Sequence, residues 1–163
     1  MSTKMDGFGK RTYTPRAFFH DLREVLSGLP AFRDTARSGR VSRAFAEKIM
    51  LAVTQVNGCR YCAYGHTRAA LREGVAPEEI ERIMANELGD FPEEEAVALA
   101  YAQHWAETGG QPDAEADRRF RDYYGPEISG DIVNWLRMIQ MGNLMGNSFD
   151  ALLYRLGVNR SLA

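Results

Sequence analysis

The sequence lacks an excess of charge of either sign. Its 20 Lys and Arg residues nearly balance its 22 Asp and Glu residues, and the formal net charge is −2. Acids and bases are scattered through the same segments, so no basic face is present for a phosphate backbone and no acidic tail is present either. We therefore expect no nucleic acid partner.

Long hydrophobic runs are also missing. The longest apolar run, residues 96–102, is far shorter than the roughly 20 residues that a membrane-spanning helix needs. The first 19 residues contain basic side chains but not the apolar stretch of a secretory signal. We expect a cytoplasmic protein without a membrane partner.

Cysteine is scarce, because the chain has only Cys59 and Cys62. In a reducing compartment a permanent disulfide is rare, so two closely spaced cysteines favour a reactive or metal-binding role. The sequence also lacks the pattern of a β-strand, since no stretch alternates apolar and polar residues between turn signals. The prediction is an all-α fold.

The helical pattern begins at Pro15, and we predict a break at Gly28 and Pro30 with a short helix after it. Proline followed by acid, which suits a first helical turn, begins four later helices. These are predicted at 77–87, 92–108, 112–124 and 126–141, with a short terminal helix over 150–156.

The length of 163 residues suits one domain. We predict a flexible N-terminal segment over 1–14, because these residues are polar and aperiodic, and a single helical domain over 15–163. Near its end, Gly142-Asn143 and Gly146-Asn147 repeat four residues apart. On a helix both glycines would share one face and allow close backbone approach.

Most of the reactive side chains lie between Glu47 and His66. A helix capped by Ser42 is predicted to end at Asn57-Gly58, and the two cysteines follow at the start of the next helix. Side chains three apart on a regular helix have Cβ atoms about 5–6 Å apart, whereas a disulfide wants about 3.5–4.5 Å. A disulfide here needs distortion, which costs least beside Gly58. A cycling dithiol therefore suits the pair better than a structural staple.

Three features favour reactivity in this stretch. A helix N-terminus lowers the pKa of a thiol from its usual value of about 8.5. His66 lies one turn beyond Cys62 and can activate a thiol. If Asn57-Gly58 turns the chain into a helical hairpin, the helical rise per residue puts Glu47 and His66 at positions that differ by only ~3 Å along the helix axes. The two side chains would then meet and could relay a proton.

The pattern Glu-x11-Cys-x-x-Cys-x3-His, from Glu47 to His66 within the segment ending at Gly74, resembles the alkylhydroperoxidase D-like (AhpD-like), carboxymuconolactone decarboxylase superfamily. The resemblance implies an all-helical protein that forms homotrimers or homohexamers. It also implies a dithiol centre without cofactor that reduces hydroperoxides and is re-reduced by a thioredoxin-like or lipoyl-bearing partner. When the residue roles of the superfamily are transferred to this chain, the resemblance implies that Cys62 attacks the peroxide, Cys59 resolves the sulfenic acid, and Glu47 and His66 relay the proton.

The order of the two cysteines stays open at the level of sequence. The helix terminus favours Cys59 as the nucleophile, whereas proximity to His66 favours Cys62. Tyr61 stands where the founding enzymes of the superfamily have a histidine, which predicts either a weaker proton relay and weaker peroxide activity than theirs or a dithiol that serves another disulfide exchange. The decarboxylase branch generally lacks the cysteine pair, which argues against decarboxylation here.

Two other interpretations use the same residues. Cys59, Cys62, His66 and Glu47 form a ligand set acceptable to zinc, although their compression onto one helical turn hinders tetrahedral geometry. Alternatively, the protein is a non-catalytic oligomeric scaffold whose cysteines are unreactive.

Overall fold

The computed structural model describes residues 3–5 and 8–158. In this part of the chain, two antiparallel strands, β1 (Thr3–Met5) and β2 (Phe8–Thr12), precede six helices. The helices are α1 (Pro15–Ser38), α2 (Arg43–Asn57), α3 (Arg60–Arg72), α4 (Pro77–Ala85), α5 (Glu93–Glu107) and α6 (Ala114–Arg155). The predicted all-α class is confirmed. None of the helices in the described ranges is both long and apolar enough to span a bilayer.

Helix α2 is the centre of the core. Ile49, Leu51 and Val53 are each 0% exposed, and the helix packs against α3, α4, α5 and α6. The segment 49–53 is apolar on every side, which is typical of a helix in the interior rather than at the surface. Burial of α2 therefore fixes its C-terminal end at Asn57, which is 4% exposed and lies just before the cysteines.

The predicted break in α1 is wrong, because the helix continues through Gly28 and Pro30 to Ser38. Proline removes one helical hydrogen bond, but Pro30 is exposed, so water can satisfy the freed carbonyl. The second half of the helix is anchored on α6. There, Thr35 Oγ1 donates to Asp131 Oδ1 at 2.6 Å, and tertiary contacts outweigh the local helix-breaking preference.

The predicted stop at residue 141 is also wrong. Helix α6 is interrupted only at Gly125, where φ is 73° and ψ is 172°, as predicted, and it then runs to Arg155. Glycine in a helix costs about 1 kcal/mol, and α6 contains Gly142 and Gly146. The helix persists because the asparagines beside these glycines are 0% exposed and hydrogen-bonded to the end of α2.

The segment 1–14, predicted as flexible, contains the hairpin of β1 and β2, which the sequence pattern did not reveal. Strand β2 packs on α6. Phe8 is 1% exposed, with its ring centroid 5.9 Å from that of Tyr154, and the Arg11 carbonyl accepts a hydrogen bond from Asn147 Nδ2 at 3.1 Å. These partners are distant in sequence, so local periodicity does not report them.

Candidate redox site

The chain reverses between α2 and α3 at a single glycine. Gly58 adopts φ 66° and ψ 28°, a left-handed conformation that favours glycine, and its N–H donates to the Thr54 carbonyl at 2.8 Å. Cys59 follows as the N-cap of α3, where its Sγ accepts a hydrogen bond from the Cys62 N–H at 3.3 Å. The predicted position of the cysteines at a helix start is confirmed, so the positive end of α3 lies at the sulfur.

A disulfide bond joins Cys59 and Cys62, whose Cα atoms are 5.4 Å apart. The two residues differ in exposure, because Cys59 is 1% exposed whereas Cys62 is partly exposed. A reagent from solvent therefore meets Cys62 first. Of the two orders that the sequence leaves open, this difference favours Cys62 as the attacking cysteine.

Glu47 and His66 meet across the hairpin of α2 and α3, as the helical rise predicts. Glu47 Oε2 lies 2.7 Å from His66 Nδ1, and their side chains are 14% and 26% exposed. An ionised carboxylate only accepts, so Nδ1 carries the hydrogen and Nε2 is left for an incoming group. His66 shares a face of α3 with Cys62, four residues earlier. The Glu47–His66 pair therefore lies one helical turn from Cys62, which is partly exposed, and the catalytic roles of these residues stay predictions.

A buried lysine beside Glu47 on α2 forms ion pairs with acids on two other helices, α4 and α5. Lys48 Nζ lies 2.6 Å from Glu79 Oε1 on α4 and 2.7 Å from Glu95 Oε2 on α5. Burial lowers the pKa of Lys48, but the two carboxylates outweigh burial and raise it overall. The hydrogen bond from Lys48 lowers the pKa of Glu79. Sequence reasoning missed Lys48, because nothing local shows that two acids from later helices reach it.

We expect Lys48→Met to lower the free energy of unfolding by about 1–3 kcal/mol. This loss is smaller than the loss from breaking a fully buried ion pair, because both carboxylates are partly exposed. In the folded state the pKa of Glu79 lies below its ordinary value of 4.5. The stability that the Lys48–Glu79 ion pair gives the fold is therefore fully present above pH 4.5, and it is lost as the pH falls through the folded pKa of Glu79. Urea unfolding at neutral and acidic pH should show a smaller difference at acidic pH. Arg33→Met, at an exposed position, is the control, and equal stability of Lys48→Met and wild type would contradict the prediction.

Helix α6 covers the inner side of the disulfide at Gly146. A Cβ at this position would lie only 2.7 Å from Cys59 Sγ, which is closer than these atoms can pack, so no other residue fits without movement. At Gly142, one turn earlier, a Cβ would have no atom within 4 Å. The close approach predicted for the Gly-Asn repeat is therefore found at Gly146 and not at Gly142.

Buried amides join α6 to the end of α2. Asn57 Nδ2 donates to Gln140 Oε1 at 2.8 Å and to Asn143 Oδ1 at 3.2 Å. Asn143 Nδ2 donates to Thr54 Oγ1 at 3.1 Å, and Asn147 Nδ2 donates to the Asn57 carbonyl at 2.8 Å. A buried amide N–H costs free energy unless it is paired, so these hydrogen bonds favour one position of the turn before the cysteines on α6.

A cavity of about 880 Å³ lies elsewhere, between the N-terminal hairpin, α1, the end of α5 and α6. Its lining includes Tyr13, Asp21, Trp105 and Arg137, but neither cysteine and neither member of the Glu47–His66 pair. We place the candidate site at the disulfide, because the reactive groups converge there.

The geometry does not favour the zinc interpretation. Both thiols are joined in the disulfide, and the described residues contain no group of three or more His, Cys, Asp and Glu side chains that could hold a metal ion.

An all-α fold with a Cys-x-x-Cys disulfide at a helix start, beside an acid–histidine pair, fits a thiol-based redox protein. The model of the carboxymuconolactone decarboxylase family matches residues 23–104, and the chain belongs to this family, within the AhpD-like superfamily. The uncharacterized protein YdfG of Bacillus subtilis (strain 168) is 31% identical over 118 residues, which cover 66% of this chain and 80% of the relative. No solved structure matches the chain.

Proposed function

We propose that this protein is a thiol-dependent peroxidase, or a related disulfide reductase, that works through Cys59 and Cys62. The observation that supports the proposal most is the Glu47–His66 hydrogen bond, because His66 follows the partly exposed Cys62 by one helical turn and such a pair suits proton transfer. A purely structural disulfide needs no such pair. Family membership and the disulfide fit a redox role in general, and hydroperoxide as the oxidant is the finer part of the proposal.

The proposed oxidation begins with the Cys62 thiolate. It attacks a peroxide oxygen, the O–O bond breaks, and Cys62 becomes a sulfenic acid. His66 Nε2 takes the thiol proton as the Cys62 thiolate forms and then gives that proton to the leaving alkoxide, while Glu47 stabilises the charged imidazole between the two steps. The Cys59 thiolate then attacks the Cys62 sulfur, so that the disulfide forms and the hydroxyl leaves, after protonation, as water. The two thiols lose two electrons and the hydroperoxide becomes an alcohol.

Re-reduction needs an external dithiol, for which we propose a thioredoxin-like or lipoyl-bearing protein. Its thiolate attacks Cys62, and the electron pair of the broken S–S bond goes to Cys59. The Cys62 N–H, 3.3 Å from Cys59 Sγ, and the positive end of α3 stabilise the departing thiolate. A second thiol of the reductant then releases Cys62.

The proposed homotrimer or homohexamer has support from side chains left uncovered on this chain. Phe19 is 67% exposed, Leu26 56% and Phe149 53%. Large apolar groups at the surface are commonly covered by a second subunit.

The direct test is hydroperoxide consumption by the reduced protein. We expect hydrogen peroxide or cumene hydroperoxide to disappear in proportion to protein, with the loss of both thiols for each peroxide consumed. Consumption no faster than by free cysteine at equal concentration would contradict the proposal.

Glu47→Gln tests the relay within the same assay. We expect the rate to fall by about 10²–10⁴-fold, the usual contribution of general acid–base catalysis, while dithiothreitol still reduces the disulfide completely. Glu81→Gln, at an exposed position on α4, is the matched control and should keep the wild-type rate.

A further inference from the structure

A buried carboxylate close to the disulfide takes no part in the chemistry above. Asp150 on α6 is 0% exposed. Its Oδ1 accepts hydrogen bonds from the Tyr61 hydroxyl at 2.7 Å and from Arg60 Nη2 at 2.9 Å, while Lys10 Nζ lies 3.8 Å from Oδ2. A carboxylate leaves water only where such partners replace its hydration. Both donors to Oδ1 are the residues between the two cysteines, so Asp150 anchors the Cys-x-x-Cys loop itself.

Arg60 reinforces this anchor by contacting Tyr61 as well as Asp150. Arg60 Nη2 donates to the Tyr61 hydroxyl at 2.7 Å, and the guanidinium carbon lies 4.7 Å from the centroid of the Tyr61 ring. The ring is therefore restrained both at its hydroxyl and across one face, the latter by a cation–π contact. This arrangement orients Tyr61 along α6 rather than leaving it free in solvent.

The edge of the Tyr61 ring lies where α6 meets Cys59. The point that a Cβ at Gly146 would occupy is 2.7 Å from Cys59 Sγ, 3.5 Å from Tyr61 Cδ2 and 3.8 Å from Cys62 Sγ, so Cys59 is the cysteine that lies closest to α6. Ring, helix backbone and sulfur therefore converge at one place. Cys59 is 1% exposed there, although Tyr61 itself is 41% exposed. The backbone of α6 therefore lies against the Cys59 sulfur, and the edge of the Tyr61 ring lies beside the same part of α6.

We propose that Asp150 and Tyr61 determine which sulfur is attacked, by holding a cover over Cys59 and leaving Cys62 open. An external thiolate then bonds to Cys62 Sγ, the S–S bond breaks, and its electron pair passes to Cys59 Sγ. In the reduced protein the same cover leaves Cys62 as the thiol that reagents reach. This inference rests on the proposed function of the cysteine pair but not on peroxide as the oxidant.

Asp150 and Tyr61 act through access to Cys59, so they are positioning residues. The family match ends at residue 104, and Asp150 lies outside it.

The test is competitive alkylation of the two cysteines in the reduced full-length protein. A short pulse of iodoacetamide is followed by trypsin, which cleaves after Arg60 and so places Cys59 in peptide 49–60 and Cys62 in peptide 61–68. In the wild type we expect label mainly on Cys62. Tyr61→Phe and Asp150→Asn should each raise the ratio of Cys59 to Cys62 label roughly tenfold, the effect expected for loss of a hydrogen bond to a charged group.

The ratio of Cys59 to Cys62 label separates the positioning role from a merely structural one, because a general loosening of the fold would expose both thiols together and leave the ratio unchanged. Asp122→Asn, at an exposed position of the same helix, is the control and should keep the wild-type ratio. Tyr61→Phe keeps the ring and the buried charge pairs, so it folds even if Asp150→Asn does not. Equal labelling of both cysteines in the wild type, or an unchanged ratio in Tyr61→Phe, would overturn the proposal. No hydroperoxide is used, so an absence of peroxidase activity would leave this result readable.

Discussion

The Cys62→Ser variant should consume no hydroperoxide, whereas Cys59→Ser should complete only the first half of the cycle. Cys62 is partly exposed and one turn from His66, so the attacking thiol is lost with it. Cys59 is 1% exposed and can only react with a neighbour that has already been oxidised. Without Cys59 the sulfenic acid on Cys62 cannot become a disulfide and accumulates.

Mass spectrometry distinguishes the two outcomes. Reduced Cys59→Ser, mixed with one equivalent of hydroperoxide and then dimedone, should carry the adduct on Cys62, and Cys62→Ser should carry none. Steady-state turnover of Cys62→Ser with dithiothreitol should fall at least about 10³-fold, because removal of a nucleophile leaves only the other contributions to catalysis. An adduct on Cys59 in Cys62→Ser would reverse the roles, and full activity in both variants would exclude a dithiol mechanism.

The Gly146→Ala variant should have a higher reduction potential than the wild type. The new Cβ would lie 2.7 Å from Cys59 Sγ in the disulfide form, where the sulfur is held by its bond to Cys62. In the dithiol form the Cys59 side chain can rotate away, so the strain falls mainly on the oxidised state. Overpacking costs about 1–3 kcal/mol, which corresponds to a rise of about 20–65 mV for a two-electron couple.

Equilibration with dithiothreitol redox buffers measures this potential. Gly142→Ala is the matched control, because it makes the same change one turn earlier on α6, where a Cβ meets no atom within 4 Å. It should leave the potential unchanged and stabilise the helix by up to about 1 kcal/mol. The steric explanation fails if Gly146→Ala keeps the wild-type potential or if both variants shift it equally.

The sequence predicted the parts of the site that depend on local geometry. The Asn57-Gly58 turn and the helical rise place Glu47 near His66, and the observed hydrogen bond of 2.7 Å joins them. The position of Cys59 at a helix start follows from the same turn. These contacts lie within 20 residues of chain, where one turn type and one helical repeat determine the spacing.

Local signals failed where distant contacts oppose them. Pro30 predicted a break in α1. The helix continues past it, because the Thr35–Asp131 hydrogen bond holds its second half against α6. The helix predicted to end at residue 141 continues, because the buried asparagines beyond that point are hydrogen-bonded to the end of α2. In both cases the preference of a single residue is about 1–3 kcal/mol, which packing of a whole helical face can exceed.

The sequence alone therefore determined the helical class, the turn and the chemical groups gathered around it. Only the tertiary structure decided which sulfur is covered, because the cover comes from Gly146 and Asp150 on α6, more than 80 residues beyond Cys59. Exposure depends on atoms that approach from other parts of the chain, and no local pattern encodes them. The exposure of the two cysteines differs for that reason, although they lie only three residues apart.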